Sequence, residues 1–148
     1  MSTQHLASLL EDKHDCLTQL RDLGARQLER IDAGDMTTLM KVLSAKQRIL
    51  ADLQAVERGL DPYRGESPDE RAWRTPTERE RCTQVTRSCQ LLFAEIVAME
   101  REAESRLILD RDDAEQRLRG MQVAAGAQVA YMRNAAISTS SLDLSTES

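Results

Sequence analysis

"GDMTTLMKVLSAKQRIL" (residues 34–50) is the stretch that decides the fold. Gly34 suits the left-handed residue that closes one helix, and Asp35 suits the N-cap that opens the next. Upstream, Leu6, Leu9, Leu10, Cys16, Leu17, Leu20, Leu23, Leu28 and Ile31 recur mostly at steps of three and four, which predicts a helix over residues 3–33. Downstream, Met36, Leu39, Leu43, Ile49, Leu50, Leu53 and Val56 predict a second helix over 36–59, with Gly59 and Pro62 as its stop signals. A connection this short folds the two helices into an antiparallel hairpin. Lys46 interrupts the second stripe, and periodicity gives it no role beyond a stem laid along the core edge with its ammonium in water.

Residues 61–74, "DPYRGESPDERAWR", read as a polar linker in which Tyr63 and Trp73 cover the open end of a bundle. At ~3.3 Å per residue such a segment reaches ~45 Å, so it leaves the direction of the next helix open. That helix starts at "TPTE" (75–78): Thr75 as N-cap, Pro76 in the first helical position and Glu78 completing a capping box. Cys82, Val85, Cys89, Leu92, Ile96, Met99, Ala103 and Leu107 then form a near-heptad seam, continued less cleanly through Ala114, Leu118 and Met121. The helix is expected over 76–119, with an extension toward 135. At 1.5 Å per residue the three helices measure roughly 45, 35 and 65 Å. The third therefore bends, runs past the hairpin or meets another chain.

The expected fold is all-α: a long antiparallel helical hairpin packed with a long third helix, as a coiled-coil-like three-helix bundle. One domain is expected over 1–137, followed by a flexible, disordered tail over 138–148, where serine and threonine dominate. Composition agrees. Apolar residues make up 41% and charged residues 30% of the 148, with one Trp, two Tyr and one Phe, which is poor material for a β-sandwich. The net charge of −5, with signs interspersed, gives no footprint for nucleic acid. The N-terminus lacks the basic and apolar regions of a secretory signal, and no apolar run approaches the ~20 residues of a membrane span. Three unclustered cysteines argue against a disulfide framework, so the chain reads as cytoplasmic.

No catalytic constellation emerges. Glu11 and His14 form one E-x-x-H, but a di-iron bundle needs that pair twice, and the second histidine is only His5. His14 therefore reads as a surface histidine. Cys82 and Cys89, seven apart, suit small thiols in a seam better than zinc ligands. There is no glycine-rich phosphate loop and no nucleophile with a base partner. The chain is expected to be no enzyme and to need no metal or cofactor.

Residues 120–148 hold only three charges, Arg133, Asp143 and Glu147. Met121, Ala124, Ala125, Tyr131, Met132 and Ala135 fall at helix-compatible spacing in this segment. It is either an adaptable partner-binding surface or a stripe that caps the bundle core.

The corner, "AGDMTTLMKVLSAKQRILADLQAVE" (33–57), resembles the signature region of the flagellar export chaperone family FlgN. A glycine-aspartate turn is followed by leucines, a lysine about a dozen positions on, paired aliphatics and a further leucine. Gly34, Asp35, Leu39, Leu43, Lys46, Ile49, Leu50 and Leu53 fall on that pattern, while Thr37 and Thr38 depart from it. The resemblance implies a cytoplasmic, non-catalytic chaperone that holds hook-associated (hook–filament junction) proteins by their C-terminal helices before type III export. The export apparatus is a further expected contact. It also implies a binding surface toward the C-terminus, between Leu107 and Ile137, with Leu107, Leu118, Met121, Ala124, Tyr131 and Met132 as its residues. The competing expectation is a coiled-coil scaffold that forms a homo-oligomer through the third-helix seam.

Overall fold

The computed structural model describes residues 2–66 and 70–147, with the side chains from position 135 onward outside the described set. Three helices follow one another: α1 (Thr3–Ala33), α2 (Met36–Arg64) and α3 (Pro76–Glu147). There is no strand among the described residues. Two compact units divide the chain, Met1–Arg106 and Leu107–Ser148. The reason is burial: within 107–134 no side chain is buried.

The first unit is an all-α three-helix bundle whose corner is built from backbone hydrogen bonds. Ser2 caps α1, its Oγ accepting from Gln4 N–H at 3.2 Å. Gly34 ends α1 at φ 67°, donating to Ile31 C=O at 3.1 Å, while Asp35 N–H reaches Arg30 C=O at 3.0 Å. That pair of bonds closes the helix in the manner of a Schellman turn. Asp35 then caps α2, its Oδ1 accepting from Thr38 N–H at 3.1 Å. Those bonds, the Thr38 backbone N–H first, hold the Asp35 carboxyl below its ordinary range. Two residues thus turn the chain through a complete helix reversal.

Helix directions follow from side-chain pairs. Lys13 meets Glu57 at 2.9 Å, so α1 and α2 are antiparallel. Glu11 meets Arg81 at 2.8 Å, His14 meets Ser88 at 3.0 Å and Asp32 meets Arg106 at 2.7 Å, so α1 and α3 run parallel. The linker therefore turns at the same end where α2 stops, and Thr3 Oγ1 donates to the carbonyl of Ala72 there at 3.4 Å. His14, expected on the surface, is instead half-buried against Ser88 on the α1–α3 seam.

Three apolar layers fill the bundle. Ile31, Leu39 and Ala103 sit at the corner end; Leu17, Leu20, Cys89 and Leu92 in the middle; Leu6, Leu60 and Tyr63 at the linker end. Of the seam expected from Cys82 onward, Cys82, Cys89, Leu92 and Ala103 are buried and Val85, Ile96 and Met99 half-buried, whereas Leu107 is exposed. Burial pushes the thiols of Cys16, Cys82 and Cys89 above their ordinary value.

The α2 terminus departs from expectation. The helix passes through Gly59 and Pro62 to Arg64, shortening the expected 61–74 linker. Proline removes one donor near the helix end, but continuing the helix buries Leu60 and Tyr63 against Leu6, worth about 1.5–3 kcal/mol for each side chain. Gly59 is there for space: a Cβ would come within 3.0 Å of Leu9 Cδ2. Tyr63 O–H donates to the Ser2 carbonyl at 3.2 Å, and Trp73 packs on the same layer, so both aromatics close the bundle end. At the start of α3, Thr75 Oγ1 accepts from Glu78 N–H at 3.1 Å. Glu78 Oε1 is buried without a hydrogen-bond partner among the described residues. The helix itself extends to Glu147, beyond the expected 119-to-135 end, because neither glycine nor proline follows Gly126. The side chains from 135 onward, those of Ala135 and of the tail expected over 138–148 among them, lie outside the described residues.

Candidate partner-binding site

Two places in the molecule depart from ordinary bundle construction. The first is Lys46, which does not snorkel. It is 7% exposed, between the middle and corner layers, and its Nζ donates to Gln27 Oε1 at 2.6 Å and to Glu100. Gln27 is on α1, Lys46 on α2 and Glu100 on α3, so a single ammonium ties all three helices in register. Burial pulls the Lys46 ammonium below its ordinary value. Glu100 keeps a side chain 45% exposed, which lets its carboxylate stay hydrated while it pairs. A buried polar group satisfied by partners on two other helices opposes slippage, because a shift by one turn would strand it.

The second place is α3 from Leu107 to Asn134, where the side chains are uncovered. Leu107 is 37% exposed, Leu118 55%, Met121 68%, Tyr131 75% and Met132 63%, and Ala124 is exposed as well. Ile108, Leu109, Val123 and Val129 are exposed in the same segment and add to the apolar surface.

Helical geometry sorts these residues into faces. At about 100° per residue, Leu107, Ala114, Leu118, Met121, Ala125, Val129 and Met132 fall within an arc of roughly 80°. Ala124 and Tyr131, seven residues apart, lie together but roughly 110° round the helix from that stripe. Of the six residues expected, four therefore share one face and two share another. Gly120 and Ala127 flank Ala124 and Tyr131, so the second strip sets one aromatic beside small residues that let another backbone approach. Val129 was not among the expected residues, though its spacing from Ala125 and Met132 places it squarely on the stripe.

Charge divides the same segment along its length. Arg117 pairs with Asp113 at 2.6 Å and Arg119 with Glu115 at 3.7 Å, each one turn apart along the helix. From Gly120 to Asn134 the only charged residue is Arg133. No Cβ neighbour lies within 4 Å of Gly120 or Gly126, so neither glycine answers to packing inside the chain. The arrangement offers an apolar, weakly charged helical surface for another helix, with methionines that can adapt their shape.

Among the described residues, no three His, Cys, Asp or Glu side chains gather as a metal site. No described helix is long and apolar enough to cross a membrane. No family model, curated protein or solved structure matches the chain.

Proposed function

We propose that this chain is a cytoplasmic, non-catalytic export chaperone of the FlgN-like kind. It would hold hook–filament junction proteins by their C-terminal helical segments and keep them soluble before export. The observation that carries the reading is the uncovered stripe from Leu107 to Met132 on a helix almost without charge beyond Arg119. A client whose terminal helices assemble outside the cell carries apolar stripes that must be covered inside it. A helix with its own free stripe covers them by helix-on-helix packing, and no cofactor or chemistry is required. The corner supports the reading as well, because Gly34, Asp35 and Lys46, three of the eight residues on which the resemblance rests, form the turn and the inter-helix tie.

The second reading is a self-associating scaffold. The seam that first suggested it is occupied within the chain, since Cys82, Cys89, Leu92 and Ala103 are buried in the bundle. A scaffold would therefore have to pair through the Leu107–Met132 stripe. Co-purification with junction proteins, full-length and lacking their C-terminal helices, separates the two readings. The chaperone reading expects the full-length client alone to be retained. Equal retention of both forms, or of neither, sinks it, and a stable homo-oligomer disrupted by Met121→Glu favours the scaffold.

A further inference from the structure

We draw no further inference here: the strongest candidate, the second apolar strip of α3 around Ala124, Ala127 and Tyr131, is an exposed helix face, and nothing in the structure shows what covers it.

Discussion

Replacing Lys46 by alanine tests the tie between the helices most severely. The substitution removes three buried methylenes, each worth about 0.8 kcal/mol. It also removes the charged donor to Gln27, whose loss leaves a buried amide oxygen unpaired at about 1–3 kcal/mol. Against that, the bundle no longer has to desolvate an ammonium, which returns part of the cost. The expected outcome is a loss of about 2–4 kcal/mol. Lys46→Met keeps the stem and should lose less, about 1–2 kcal/mol, most of it from the stranded Gln27. Adding Gln27→Leu to Lys46→Met should then recover the loss, because both buried polar groups are gone and Glu100 is free to face water. Urea unfolding followed by far-ultraviolet circular dichroism measures all three. The reasoning is refuted if Lys46→Ala lies within about 0.5 kcal/mol of wild type, as it would for a lysine lying in water. A double variant no better than Lys46→Met alone refutes it equally.

Gly34→Ala should destabilise the bundle by about 1–2 kcal/mol in the same urea titration, because its φ of 67° puts a Cβ in the left-handed region. The Asp35 carboxyl is held below its ordinary value by the Thr38 N–H, so its contribution is present above the unfolded value of 3.8 and lost as pH falls through the lower folded value. Asp35→Asn should flatten that acid limb in pH-dependent melting curves. The thiols of Cys16, Cys82 and Cys89 are raised by burial, so their contribution is complete below the unfolded value of 9.0 and declines as pH climbs beyond it. Lys46, whose ammonium is depressed, acts in the opposite direction, so alkaline melts in a Lys46→Met background isolate the thiols; Cys82→Ala with Cys89→Ala should then shallow the fall.

What the sequence made legible was local. Gly34 and Asp35 announced the corner because a left-handed glycine and a capping aspartate work through bonds to residues within five positions. The Cys82–Ala103 seam was legible because one stripe faces one core. Lys46 was opaque for the opposite reason: its partners lie 19 and 54 residues away, and no helical period points to them. The end of α2 misled because Gly59 and Pro62 are stop signals only where nothing beyond them gains by burial, and Leu60 and Tyr63 do gain. At the candidate site, low charge singled out the segment after Arg119, and about 100° per residue sorts its residues into the Leu107–Met132 stripe and the Ala124–Tyr131 strip.

The central claim is that the Leu107–Met132 stripe holds a client's terminal helix. Its most direct test is calorimetric titration of the C-terminal helical segment of a hook–filament junction protein into wild type and into Leu118→Glu/Met121→Glu. Both positions are exposed, so the variant should keep its fold and stability. Two anchors at about 2 kcal/mol each predict a loss of affinity of roughly a thousandfold. Unchanged binding by the folded variant, or no binding by wild type, would contradict the account.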